Sequence, residues 1–166
     1  MLYKAAKTAQ RMALTALVTR QAKRTGTGLR VNGWSGVTRF TTLGNNVHFN
    51  GLIVSGSGEV TIGDNFHSGK GCLFLTENHD FDTGDALPYG QERILKPIVI
   101  GDNVWLGSRV IVLGGVTIGE GAVIQAGSCV VSDIPACAIA GGHPAKVFSQ
   151  RDLEHYERLK REGKVR

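Results

Sequence analysis

Acidic residues are missing from the first 58 positions of this chain, which nonetheless hold eight Lys and Arg. The remaining 11 basic and 14 acidic residues give −3, so the formal net charge of +5 belongs to one end of the molecule. Aromatic residues make up only 7% of the chain and do not interleave with that basic stretch, which argues against a base-stacking surface and a nucleic-acid partner. Cysteine is sparse: Cys72, Cys129 and Cys137 have no metal-type spacing. An odd, dispersed set argues against a disulfide framework and for a reducing, cytoplasmic compartment. No apolar run is long enough to span a bilayer. The short MALTALV stretch is followed by TRQAKR instead of a small-residue cleavage site, so a signal peptide is a poor reading.

Glycine is plentiful, at 23 residues, and much of it falls in one pattern. From Ile100 the chain reads IGDNVW, LGSRVI, VLGGVT, IGEGAV, IQAGSC, VVSDIP, six consecutive units of six. A branched aliphatic residue opens each unit: Ile100, Leu106, Val112, Ile118, Ile124 and Val130. Four places later comes a second small or branched residue: Val104, Val110, Val116, Ala122, Ser128 or Ile134. Helices need a 3.6-residue spacing and half-buried strands alternate every second residue, so neither template fits. A short strand followed by a tight corner does fit. Such a unit cannot bury its apolar side chains alone and must stack on copies of itself. Three units then form one triangular coil, with coils about 4.8 Å apart and parallel ladders.

The period begins at Val31 and passes through Val37, Leu43 and Phe49. It slips by one residue in SGSGEVT, then resumes at Ile62, Ser68 and Phe74. The expected organisation is a single domain. An N-terminal helix and lead-in (1–30) precede coils at 31–78 and 98–135, roughly five in all. An excursion (79–97) interrupts them, and a C-terminal turn and helix (136–166) follow. Residues 1–24 read as a basic amphipathic helix, with Leu2, Ala5, Ala6, Ala9, Met12, Ala13, Ala16 and Leu17 on one face and Lys4, Lys7 and Arg11 opposite. Two uses are open for it: a cap on the solenoid's end, or a peripheral contact with anionic lipid. Residues 150–163, with Leu153, Tyr156 and Leu159 on one side, read as a solvated, charged cap.

A long irregular excursion from a compact repeat is usually functional, and HDFDTGDALPYGQERILKP is one. His79 sits at its start, with Glu77, Asp80 and Asp82 near in sequence. An imidazole held by a carboxylate or carbonyl at one ring nitrogen is a suitable general base at the other. His48, His67 and His155 read as surface or hydrogen-bonded side chains. Catalytic zinc commonly takes three protein ligands, and no histidine lies between 80 and 142, so no metal is expected. Lys146 and Arg109 are two cations suited to a phosphate.

The repeats, followed by GGHPAKV, resemble the hexapeptide-repeat acyltransferases. NVWLGSRVIVLGGVTIGEGAVIQAGS and VVSDIPACAIAGGHPAKV are similar to the galactoside, maltose and xenobiotic O-acetyltransferase branch. The resemblance covers about Val31 to Val147. It implies an all-β, left-handed parallel β-helix assembled as a homotrimer, with acetyl-CoA in the groove between neighbours. It implies His79 as general base, beside Asn78, and the backbone N–H of Ser108 as the donor to the developing oxyanion. Trp105 and Gly107 then border the thioester, Ala126 and Gly127 line the pantetheine channel, and Lys146 stands near the CoA phosphates. Asn50, Asn78 and Trp105 are the implied substrate contacts. Two departures stand out. His143 precedes Pro144 where the family commonly has Asn, and the longer N-terminal helical region of the sugar enzymes has no counterpart, so the acceptor pocket is built differently.

The resulting expectation is an acetyl-CoA-dependent O-acetyltransferase acting on a hydroxyl of a sugar or surface-polysaccharide precursor. N-acetylation of a nucleotide-linked amino sugar, a non-catalytic trimeric scaffold and a metal-dependent hydratase on the same fold are the alternatives.

Overall fold

The computed structural model describes residues 2–165, with side chains from Ala5 onward. It is a three-sided parallel β-solenoid of about six turns with a helix at each end, α1 (Leu2–Gln21) and α2 (Leu153–Arg161). The first face stacks Arg24–Thr25, Thr41–Leu43, Val60–Ile62, Ile98–Ile100 and Thr117–Ile118. The second stacks Arg30–Val31, His48–Phe49, His67–Ser68, Trp105–Leu106, Val123–Ile124 and Ala138–Gly142. The third stacks Leu52–Ser55, Cys72–Leu75, Ile111–Leu113 and Cys129–Val130.

Each strand is only two to six residues long because the corner must come before the next coil does. The unit-opening residues Ile100, Leu106, Val112, Ile118, Ile124 and Val130 are all buried to 1% exposure or less, as are Val104 and Val110 four places on in their units. Side chains from every coil therefore form one continuous apolar column. Phe49, Phe66 and Phe74 fill its lower part. Cys72, Cys129 and Cys137 are free and buried, serving as small hydrophobes.

The ladders reach further than the tracts 31–78 and 98–135. They start at Arg24, paired with Thr42, and continue to Ala138–Gly142, which pairs with Val123 and Ile124 before turning back antiparallel as Ala145–Gln150. This hairpin stands where only a turn at Gly141, Gly142 and Pro144 was expected. Its inward Ala138 and Ala140 are too small to announce themselves as an apolar strand. The added layers account for about six turns instead of five. The one-residue slip has a composite origin. Inward positions run from Phe49 to Val54, a step of five, and then to Ile62, a step of eight, around Gly56 at φ 99°.

The buried face of α1 differs from the expected one. Leu14 and Val18 are buried, whereas Ala5, Ala6, Ala9 and Ala13 are exposed and Met12 is 66% exposed. Leu2 and Lys4 lie outside the described side chains. Only the second half of α1 crosses the open end of the apolar column, and position there is set by the end strand's unpaired donors. Thr15 Oγ1 accepts from the Val31 N–H at 3.1 Å, and Gln21 Oε1 accepts from the Val37 N–H at 3.2 Å. The first ladder would otherwise end on orphaned backbone groups.

Candidate active site

The three edges of the prism are built differently. Between the first and second faces, Asn46, Asn65 and Asn103 adopt φ of 53°, 56° and 58°, a conformation that asparagine tolerates better than most residues. Their side chains form a ladder: Asn46 Nδ2 donates to Asn65 Oδ1 (2.9 Å), Asn65 Nδ2 to Asn103 Oδ1 (3.0 Å), and Asn103 Nδ2 to the Tyr156 hydroxyl (3.0 Å). Tyr156 in turn donates to Glu120 Oε1 at 2.9 Å, which Lys160 also meets at 2.5 Å. Lys160 holds the Glu120 carboxyl below its usual range, while burial and Glu120 push the Tyr156 phenol up. Thus α2 is docked by polar contacts and is not a freely solvated cap, although none of its residues is buried.

Between the second and third faces the corners read Gly69–Lys70–Gly71, Gly107–Ser108–Arg109 and Gln125–Ala126–Gly127. A Cβ on Gly107 would stand 2.5 Å from the Ala126 nitrogen, and one on Gly69 would stand 2.4 Å from the Ser108 nitrogen. Glycine at 107 is thus required by the spacing of the coils themselves. Gly71 and Gly127 have positive φ, as does Arg109 at 58°. At three other corners a side chain of the coil above caps the middle N–H, whereas the Asp102 N–H has no acceptor among the described residues. Ser108 Oγ accepts from Lys70 N (3.2 Å), Asp64 Oδ1 from Asn45 N (2.6 Å), and Asp102 Oδ1 from Asp64 N (2.7 Å). Above Ser108 the equivalent residue is Ala126, which has no acceptor. Among the described residues the Ser108 N–H donates to none.

Trp105 stands on the outer side of the second face, 54% exposed, in register with His67 below and Val123 above. It also walls a cavity of about 510 Å³ beneath α2, with Asn103, Tyr156 and Lys160. Asn50 is engaged at both ends: it accepts from Asn32 Nδ2 (3.1 Å) and donates to the Ser68 carbonyl (2.7 Å). Lys146 is exposed on the returning strand opposite Gly141, with His143 in the turn.

The excursion leaves from the remaining edge. Register across it jumps by 38 residues (Thr61 to Val99), where neighbouring coils advance by 18 (Val99 to Thr117), so it inserts 20 residues without disturbing the ladder. It is not irregular throughout. Glu77–His79 pairs antiparallel with Arg93–Leu95, setting His79 opposite Arg93. Asp80 closes the first turn, accepting from the Thr83 N–H (2.9 Å) and hydroxyl (2.7 Å). Among the described residues neither a carboxylate nor a carbonyl, the two expected partners, meets the buried His79 Nδ1. Glu77 accepts from the Ser57 N–H (2.8 Å) and from Arg93 (2.5 Å), which hold its carboxyl below the usual range. Instead the imidazole stacks on Tyr89, with centroids 3.9 Å apart and planes 24° from parallel. Its Nδ1 is buried with no hydrogen-bond partner among the described residues. Asn78 is exposed beside it, paired with Ile94.

A single chain therefore separates the implied residues into two groups. Trp105, Ser108, Ala126 and Gly127 share the second face and the edge after it, while His79 and Asn78 stand on the edge after the third face. Sequence reasoning did not anticipate the stack of Tyr89 on His79 or the asparagine ladder. The ladder was announced by the repeated GNN, GDN and GDN triplets at 44–46, 63–65 and 101–103. Among the described residues no three His, Cys, Asp or Glu side chains gather as metal ligands would, and no helix is long and apolar enough to cross a membrane.

Residues 97–132 match the family described as bacterial transferase hexapeptide (six repeats). Galactoside O-acetyltransferase of Escherichia coli (strain K12) is 36% identical over 136 residues, which span 75% of this chain and 66% of that protein. A structure of galactoside acetyltransferase in complex with coenzyme A superposes with a TM-score of 0.71 at 31% identity, covering 84% of this chain and 71% of the other. The hexapeptide-repeat acetyltransferase VCA0836 from Vibrio cholerae O1 biovar eltor, complexed with acetyl-CoA, gives 0.69 at 29% identity, covering 87% and 79%. The chain spans 45% to 66% of the length of the first curated relatives it matches. With its six-residue period, triangular coils and these likenesses together, the chain belongs to the hexapeptide-repeat acetyltransferases.

Proposed function

We propose that this protein transfers an acetyl group from acetyl-CoA to a hydroxyl of a sugar, in a homotrimer whose active sites lie between neighbouring protomers. The observation that carries this reading is the open Ser108 N–H. An exposed corner donor left without an acceptor among the described residues, one coil above the capped Lys70 N–H, is suited to charge that appears only during reaction. His79 supplies the base. The acceptor hydroxyl gives its proton to the imidazole as its oxygen bonds to the thioester carbonyl carbon. The oxyanion so formed is held by Ser108 N–H, and its collapse breaks the C–S bond and releases CoA, whose sulfur takes back the proton. Trp105 and Gly107 border the thioester, Ala126 and Gly127 leave room for the pantetheine arm, and Lys146 meets the phosphates as a point charge.

Sharing of the site between protomers is supported by three features. His79 and Ser108 stand on different edges. The hairpin tip exposes Phe81 at 70% and Leu87 at 96%, and the third face is apolar on its outside, with Ile53, Leu73 and Ile111 in register and Val131 exposed. Such surface normally meets a partner. Co-assembly of two inactive chains, one His79→Ala and one altered at Ala126, tests this directly. Random mixing in a closed three-fold ring restores about a quarter of the sites if each site draws on two protomers, and none if it draws on one.

The chemistry is tested by following thiol release from acetyl-CoA with panels of hydroxyl and amino sugars. Release with hydroxyl sugars is expected, amine preference would redirect the reading to N-acetylation, and CoA binding without release on any acceptor would leave a scaffold. The exposed half of α1, bearing Arg11, is suited to rest on an anionic membrane surface. Retention by vesicles rich in anionic lipid, lost in a chain that starts near Thr25, is the expected result.

A further inference from the structure

We propose that the acceptor is an acidic saccharide, bearing a carboxylate or a phosphate, and that it lies in the groove running down the edge below Ser108. The proposal rests on the transfer reading above and names its substrate class. The groove encloses about 660 Å³ between the first turns of α1 and the lower coils, lined by Lys7, Trp34, Asn50, Ile53 and Lys70. It joins the Ser108 corner directly, because the Lys70 N–H is the group that Ser108 Oγ caps.

Three observations give it its chemistry. Trp34 is 72% exposed on this edge, a large flat ring whose side chain makes no hydrogen bond among the described residues. A sugar presents a face of C–H groups to such a ring, whose own face is electron-rich. Lys70 is exposed and pairs with no carboxylate among the described residues, and no acidic side chain lines the groove. That is expected of a wall drawn partly from the acid-free first 58 residues. Finally, Arg109 occupies a left-handed corner position where the coils below and above use Gly71 and Gly127. Its Cγ lies 3.7 Å from where a Cβ on Gly71 would be, so the side chain passes over the upper mouth of the groove. A bulky residue kept where glycine is favoured points to a use for its guanidinium. Two unneutralised cations beside an aromatic floor, with no acid among them, attract an anion and repel a cation.

The test compares glucose, glucuronic acid and glucose 1-phosphate, and their oligomers where available, as acceptors for the wild type and for Trp34→Ala, Lys70→Gln and Arg109→Gly. One or both acidic sugars should exceed glucose in kcat/KM by about tenfold or more, and the better of the two identifies carboxylate or phosphate as the recognised group. Lys70→Gln and Arg109→Gly should erase that preference through KM, with little change on glucose and unchanged CoA affinity by calorimetry for Lys70→Gln. Trp34→Ala should raise KM for neutral and acidic sugars alike. Arg109→Gly should melt at or above the wild-type temperature, since it relaxes the backbone, which separates lost recognition from lost folding. Equal turnover of glucose and the acidic sugars, unaltered by Lys70→Gln, overturns the proposal and leaves acetyl transfer standing. No turnover of any acceptor by a CoA-binding wild type removes both.

Discussion

Two edges of the same prism, built from the same six-residue unit, treat their polar groups in opposite ways. Along the asparagine edge each amide side chain donates to the next residue up, and the ladder ends on Tyr156 of α2 and Glu120. Along the edge holding Ser108 the corners are small or left-handed, Lys70 and Arg109 lack carboxylate partners among the described residues, and the Ser108 N–H is open, as the Asp102 N–H is on the asparagine edge. The difference teaches that the repeat supplies backbone geometry on every edge alike. What sets the two edges apart is their side chains, a closed amide ladder on one and cations without carboxylate partners among the described residues on the other.

The largest expected effect removes the group proposed to reach that open edge from a neighbour. His79→Ala should lower turnover by about two to four orders of magnitude with acetyl-CoA affinity nearly intact, and single-turnover kinetics with a calorimetric titration would expose any other result. A second change tries to convert the open edge into a closed one. Ala126→Ser places a hydroxyl where Ser108 Oγ stands one coil below, so Ser108 N–H gains an acceptor. Turnover should fall about a hundredfold, with melting temperature held or raised. A variant that keeps its turnover would disconnect that N–H from the reaction.

The reverse experiment opens the closed edge. Tyr156→Phe strips Asn103 of its acceptor and Glu120 of a donor, and should cost about 1–2 kcal/mol in denaturant unfolding while leaving turnover unchanged. An effect of similar size concerns protons. Burial, then His67 and Arg30, lower the His48 pKa from 6.5 to about 4. The unfolded chain therefore binds that proton more tightly than the folded one, so stability should fall as pH drops from about 6.5 towards 4. With the half-buried ring discounted for solvent, the loss is about 1–2 kcal/mol. Melting curves across that range should flatten in His48→Asn.

The stacked rod was legible because Ile100, Leu106, Val112 and their successors are strongly apolar and strictly spaced. The excursion was legible as a break in that spacing, though its paired arms were not, since Glu77–His79 and Arg93–Leu95 carry no alternation of apolar and polar residues. The terminal elements were read less well. On α1 the alanines outnumber Leu14 and Val18, so composition favoured the wrong face. On α2 the decisive contact is the Tyr156 hydroxyl, a long-range partner that helical spacing does not report. Roles for Ser108 and Ala126 came from family resemblance. Their physical sense, a donor beneath a residue that cannot accept, emerged only once the coils were stacked.

The hairpin that bears His79 is anchored in a stack whose rungs align on both sides of it as though it were not there. Chain inserted at such a corner costs little more in closure entropy as it lengthens. Under the proposed reading this design uncouples the two halves of the reaction: the rod proposed to grip the donor can stay constant while the corner insert, and the proposed base it carries, is exchanged for another. A graft of a different relative's insert between Thr76 and Pro97 should therefore alter which hydroxyl is chosen and leave the stacked coils unchanged.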